Sequence, residues 1–227
     1  MPTRPDLRKP APNSRMNGMK ADLDSLVRLR KADIKPAARA LTAAFRKYPL
    51  LVDKYHDESE RNKAAYYFFL IIVGYGIRWG EVYGTSPKME GIAVWYRSEH
   101  FPMRFWKILR SVPFSVLLGF PWSGVGRLQA AANFVEARHQ QFAPAEHWFL
   151  DSIGVAPQYQ GKGYAGRLIR AMLERTDKEG VPVYLDTMDE IDVRRYEHFG
   201  FKVIDKSAVP KTTLTNWGLV REAKKID

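Results

Sequence analysis

The 227-residue chain contains no cysteine. Disulfides, thiolate metal sites and a cysteine nucleophile are thereby excluded, and a reducing cytoplasm is compatible. Long apolar runs are also lacking. The longest, AAYYFFLIIV at 64–73, reaches Ile77 only across Gly74 and Gly76 and has charges on both flanks. A spanning helix needs roughly 20 apolar residues, so the expectation is a soluble cytoplasmic protein without a membrane partner. The first twenty residues lack the apolar block of a secretory leader. They hold four prolines and five Lys/Arg against one Asp. Residues 1–22 therefore read as a disordered basic tail, with a nucleic-acid arm as the alternative. No dense basic stripe alternates with aromatics, so nucleic acid is not an expected partner despite the net charge of +11. No metal is expected.

What is present suits one domain over 23–227: 45 % of residues are hydrophobic and 13 % aromatic. LVRLR at 26–30 alternates like a half-buried strand. Asp33 is placed to cap a helix with Pro36 in its first turn, and a second, buried helix comes next over 57–80. Two strands, EVYGTS and GIAVWYR, are joined by Ser86-Pro87-Lys88. Short helices are expected in the aromatic stretch 101–118, then a helix over about 125–141. Past HWFLDSIGV, an amphipathic helix carries Leu168, Ile169, Met172 and Leu173 on one face and stops at Gly180. VPVYLDT, a short helix ending at Gly200, FKVID and TTLTNWGLV complete a single α/β domain.

VAPQYQGKGYAGRL at 155–168 joins a strand to that helix. Two readings stand open, a plain connector or a phosphate cradle. The first amides of a helix have no internal partner and lie at the positive end of its dipole. Gly161 and Gly163 admit close approach, and Lys162 and Arg167 add charge. A P-loop is excluded by the missing Gly-Lys-Ser/Thr ending. GKGYAG does fit G-x-G-x-x-G, and Asp186 lies 20 residues beyond Gly166, so a dinucleotide fold stays a rival.

The wider pattern is V-x-P-x-x-Q-G-K-G-Y-A-G-R-L, with Y-E-x-x-G-F about 30 residues later. It resembles the GNAT superfamily of acetyl-CoA-dependent N-acyltransferases, over roughly residues 147–204. Gln160-Gly161-Lys162-Gly163-Tyr164-Ala165 matches that family's Gln/Arg-x-x-Gly-x-Gly/Ala signature. The stretch is most similar to the puromycin N-acetyltransferase branch. The resemblance implies a mixed, mostly antiparallel sheet of about six or seven strands with a central splay and helices on both faces.

It also implies site roles. Acetyl-CoA would be the cosubstrate, its pantetheine arm on Ile153 and Val155 and its pyrophosphate on the amides of Gly161 to Gly166, with Gln160 at the entrance. Ile153 or Gly154 would donate a backbone N–H to the thioester oxygen. Asp192 stands where the family often has a cofactor-contacting Asn, which leaves that contact open. Tyr196 matches the family's general acid; its phenol either protonates the departing thiolate or only packs on its helix. For the base, His147, Asp151, Asp186 and Glu81 all lie on strands. Alternation puts His147, Phe149, Asp151, Ile153 and Val155 on one face. Asp151 then sits one alternation from Ile153, where apolar surroundings raise its pKa. The alternatives for it are a strand-end acid, a counter-charge, or relay through water. His147 reads as structural.

Asp186, Glu81 and Trp106 are the substrate-side candidates. Residues 45–80 and 100–125 would build the acceptor pocket, with Trp106, Phe105, Phe114 and Trp122 as apolar walls. The expected activity is transfer of acetyl to a primary amine of a small molecule, such as an antibiotic or xenobiotic, within a ternary complex. The alternative is a CoA-binding sensor without turnover. A monomer or homodimer is expected.

Overall fold

Alternation along GIAVWYR decides how the sheet is covered. Ile92, Val94 and Tyr96 face one way and Ala93 and Trp95 the other, and all five are completely buried. Both faces therefore need a layer of helices. The computed structural model describes residues 22–119 and 125–225 and supplies both layers. The basic tail and Trp122 lie outside the described residues.

Seven strands form one sheet: β1 (Val27–Arg28), β2 (Glu81–Gly84), β3 (Gly91–Arg97), β4 (Trp148–Val155), β5 (Val183–Thr187), β6 (Lys202–Ala208) and β7 (Thr215–Arg221). Their order is β1-β2-β3-β4-β5-β7-β6. Only β4 and β5 pair in parallel, and they do so at two positions alone, Trp148 with Val183 and Phe149 with Tyr184. Beyond these the strands part. The mostly antiparallel α/β sheet with a central splay is as expected.

One face carries α1 (Ile34–Phe45), α2 (Pro49–Lys54) and α3 (Glu58–Trp79), which pack on Val82, Ile92, Val94, Tyr96, Phe149 and Tyr184. The other carries α7 (Tyr164–Glu179) and α8 (Glu190–Glu197) on Ala93, Trp95, Trp148, Leu150, Val183 and Leu185. Leu168, Ile169, Met172 and Leu173 are all buried there, as the spacing predicts. Between β3 and β4 lie α4 (Phe105–Ser111), α5 (Phe114–Gly119) and α6 (Val125–Phe142).

Several boundaries differ from the sequence reading. The first strand is two residues long, and Asp33 does not cap α1. Its carboxylate instead accepts from the Arg30 amide at 2.8 Å within a 3-10 turn. The helix expected from 57 begins at Glu58, capped by Asp57, whose side chain accepts from the Glu60 amide at 2.7 Å. The separate α2 precedes it, because Pro49 fits a first helical turn.

The C-terminal strand is fastened to α7. Arg221 donates two hydrogen bonds to the Asp177 carboxylate, at 2.7 and 2.8 Å, and a third to the Phe199 carbonyl at 3.1 Å. Asp177 also accepts from the Lys224 amide at 2.8 Å. These bonds fix the ends of β7 and α7 against each other.

Candidate active site

The splay leaves one edge of β4 without a strand partner past Phe149, while its other edge stays paired to β3 as far as Val155. β4 gives way at Pro157, which opens a single 3-10 turn (Pro157–Tyr159). Gly161 and Gly163 then adopt φ of 76° and 80°, a left-handed backbone that a side chain strains. Gly163 is the N-cap of α7, and no side chain caps the helix. The amides of its first turn are therefore left for a ligand.

A cleft of about 510 Å³ opens on this turn. It brings together Ile153, Gly154 and Val155 from β4, Gln160, Gly161, Gly163, Tyr164, Ala165 and Gly166 from the turn, and Asp192 and Tyr196 from α8. The Gln160 amide donates to the Val155 carbonyl at 3.1 Å, tying the turn to the strand end. Lys162 does not line the cleft; its ammonium lies over the Tyr159 ring, 5.6 Å from the centroid. Asp192 accepts from Arg195 at 2.7 Å, and burial raises its pKa. Burial likewise raises the Tyr196 phenol far above the ordinary tyrosine range, with the nearby Asp192, Tyr48 and Asp186 adding to the rise. It stays protonated.

Tyr48 falls within the stretch 45–80 expected to build the acceptor pocket, but sequence reasoning did not single it out. It comes just after α1, lines the same cleft, and its hydroxyl accepts from the Met188 amide at 3.0 Å. The two residues are 140 positions apart. No local pattern signals that pairing.

Asp151 departs from the expected alternation. Val94 pairs with Ser152 and Trp95 with Leu150, so Asp151 is the extra residue of a β-bulge. The bulge reverses the facing of the later residues of β4. Phe149 packs on the α1–α3 side, whereas Ile153 packs with Ala93 and Leu168 on the α7 side. His147, Phe149, Asp151, Ile153 and Val155 thus do not share one face.

The Asp151 carboxylate accepts from the Ser152 hydroxyl at 2.8 Å. Asp186 lies across the splay on β5. Both keep part of their surface accessible, yet burial pushes Asp151 up to about 6 and Asp186 to about 7, the latter helped by the charge of Asp151. Asp186 Oδ2 has no hydrogen-bond partner. Two carboxyls poised near neutrality, with Asp186 close enough to act on the neutral Tyr196 phenol, can pass a proton at ordinary pH.

Other candidates lie elsewhere. Glu81 is held by Arg175 at 2.6 Å and Arg28 at 3.3 Å and accepts from Tyr83 at 2.6 Å, so its charge is already matched. It is not brought to the cleft. Trp106 packs edge-on against Trp79 at 5.9 Å and is 44 % exposed, while Phe105 and Phe114 are 66 % and 69 % exposed. They do not line the cleft; the apolar wall near Tyr196 comes from Phe45 and Tyr48. His147 is buried, its Nδ1 bonded to the Pro144 carbonyl at 2.6 Å and its Nε2 to His139 Nε2 at 2.9 Å. Because a carbonyl only accepts, Nδ1 must carry the His147 proton, and His139 donates between the rings. Burial and His147 push His139 down to about 3.

The model of the acetyltransferase (GNAT) family matches residues 87–201, which span β3, the splay, the glycine turn and α8. The chain belongs to the GNAT acetyltransferase family. This GNAT enzyme is similar to an uncharacterized N-acetyltransferase of Schizosaccharomyces pombe, with 31 % identity over 182 residues, 77 % of this chain and 72 % of that protein. Its fold is that of a histone acetyltransferase HPA2 and related acetyltransferase from Corynebacterium glutamicum (16 % identity, 89 % of this chain, 97 % of that one, TM-score 0.62). A polyamine N-acetyltransferase of Drosophila melanogaster has it too (15 % identity, 87 % and 98 % covered, TM-score 0.55). The chain is accordingly an N-acetyltransferase. Among the described residues no group of His, Asp and Glu is placed to hold a metal, and no helix is long and apolar enough to cross a membrane.

Proposed function

We propose that this GNAT enzyme transfers an acetyl group from acetyl-CoA to a primary amine of a small molecule, in a ternary complex. One observation carries the reading: Tyr196, the open edge of β4 and the uncapped start of α7 line one cleft, while Asp186, on the splay outside that lining, feels the charge of Asp151 and acts on Tyr196. The residues present fit acetyl-CoA. A Cβ at Gly161 would meet nothing within 4 Å, which leaves room for a diphosphate against the turn. Lys47 supplies positive charge along the same cleft, where Arg195 is paired with Asp192. The open edge of residues 150–155 offers backbone partners to an extended amide-bearing arm.

In the transfer, the amine nitrogen bonds to the thioester carbon and the carbon–sulfur bond breaks. The ammonium proton passes to Asp151 or Asp186, directly or through water. A backbone N–H of Ile153 or Gly154 meets the carbonyl oxygen as negative charge grows there. Tyr196 gives its proton to the leaving thiolate and recovers one from the amine nitrogen as the amide forms. Phe45 and Tyr48 give the acceptor an aromatic wall, which suits an amphipathic amine such as a xenobiotic.

Release of free thiol from acetyl-CoA across an amine panel tests the activity, and Tyr196→Phe tests the acid. That variant is expected to lose about 100-fold or more in kcat with acetyl-CoA affinity unchanged. Equal kcat in the variant refutes the acid role, and no thiol release with any amine refutes the acceptor class.

A further inference from the structure

The short helices α4 and α5 bear an outward face unlike the rest of the surface. Phe105, Phe114 and Leu118 are 66 %, 69 % and 70 % exposed, and Trp106 and Leu109 are 44 % and 43 % exposed beside them. Half of the large apolar side chains exposed among the described residues fall within these fourteen positions. Apart from Trp106, which packs edge-on against Trp79, packing does not account for them. The inward side chains of the same two helices, Ile108, Val116 and Leu117, already meet the core that α3 covers.

Within these two helices the charge has one sign, with Glu99 the nearest acid before them. From His100 through Val135 the sequence contains no Asp or Glu, while Arg104, Lys107 and Arg110 lie along α4 and at its start. Their cations sit among the aromatics: Arg110 lies 5.3 Å and Lys107 5.8 Å from the Trp106 ring centroid. Ordinary solvent-facing helices mix both signs. Protruding Phe and Leu, a half-exposed Trp and a fringe of Lys/Arg without acids are instead what an anionic lipid interface rewards. The apolar groups enter the acyl boundary, and the cations stay with the headgroups.

We propose that the α4–α5 face docks this enzyme reversibly on anionic membrane surfaces. The helices lie in the interface rather than crossing it, and the active-site cleft is lined by other elements. The proposal is independent of the acceptor's identity.

Flotation of the full-length chain tests it, with vesicles of phosphatidylcholine alone or with a phosphatidylserine fraction added. Wild type is expected to float with the anionic vesicles and not with the neutral ones. The Phe105→Ser, Phe114→Ser, Leu118→Ser triple variant is expected to lose at least tenfold in partitioning. Arg104→Gln with Arg110→Gln is expected to lose about 30-fold, since each cation near such a surface contributes roughly a fivefold factor. These side chains are exposed, so both variants should keep the wild-type melting temperature, which is checked alongside. Three results overturn the proposal. Wild type fails to float with anionic vesicles. Both variants float as well as wild type, which assigns binding to another basic region. Or wild type is a dimer in solution that the triple variant makes monomeric, which assigns the face to a second copy.

Discussion

Replacing Asp186 with Asn isolates the energetic consequence of holding a carboxyl at the splay. Its pKa is raised from 3.8 to about 7 by burial and by Asp151. A group that binds its proton more tightly in the folded state makes folding less favourable as pH climbs between the two values. Below pH 3.8 the cost is absent, and above about 7 it is complete, corresponding to about 4 kcal/mol at most. Asp186→Asn removes the ionisation but leaves an amide in the same confined space, at a cost of about 1–3 kcal/mol. Comparing two pH values cancels that second effect. The stability of the variant relative to wild type is expected to grow by about 2–3 kcal/mol between pH 5 and pH 8. Urea unfolding at both pH values measures it, and acetyl transfer should fall in the same variant. If the difference between the two proteins is the same at pH 5 and pH 8, Asp186 ionises freely and the proposed proton transfer loses its basis.

Two further outcomes rest on the same carboxyl pair and on the clamp at the end of β7. kcat/KM is expected to rise through about pH 6–7 as the Asp151–Asp186 pair gives up its proton; Asp151→Asn removes one carboxyl and the charge that helps raise the other, so it should abolish that limb or shift it to lower pH, and an unmoved limb contradicts the assignment. Arg221→Met leaves Asp177 without its bidentate partner at a site where the side chains are only 5 % and 15 % exposed. It is expected to cost about 3–5 kcal/mol, or roughly 6–20 °C in Tm for a chain of this size, by calorimetry. An unchanged Tm shows that the pair does not fasten β7 to α7.

The legible parts of the site were the local ones. The glycine turn and the apolar face of α7 are each specified within a few residues, and Tyr196 stands at a fixed distance along the chain. What was illegible depends on residues far apart in sequence. Glu81 looks available until Arg175, 94 positions later, comes to lie against it. Tyr48 enters the cleft with its hydroxyl on the Met188 amide, 140 positions away. The aromatic run near Trp106 has the composition of a pocket wall, but composition does not say which side of a seven-residue helix faces the core. The inserted residue at Asp151 defeats period-two counting, since one extra position moves every later side chain to the other face.

That insertion also explains Gly154. With the facing reversed, position 154 points at the end of α1, and a Cβ there would stand 2.8 Å from the Ala44 Cβ, 3.0 Å from Leu41 Cδ2 and 3.2 Å from Phe45 Cε2. Ala44 and Phe45 line the cleft, and Tyr48 comes shortly after them. The glycine thus sets how closely α1 approaches β4, and with it the width of the cleft on its aromatic side. Gly154→Val forces α1 outward and is expected to cost about 1–3 kcal/mol by overpacking. It should also lower kcat by displacing Phe45 and Tyr48, while the pyrophosphate end of the cleft, built on α7, keeps its affinity for CoA. Without the bulge, position 154 would face α7 instead, and a larger side chain would press on that helix and weaken CoA binding first. Titration of CoA against Gly154→Val by calorimetry separates the two cases: a large loss of affinity with α1 undisturbed refutes the reversed facing.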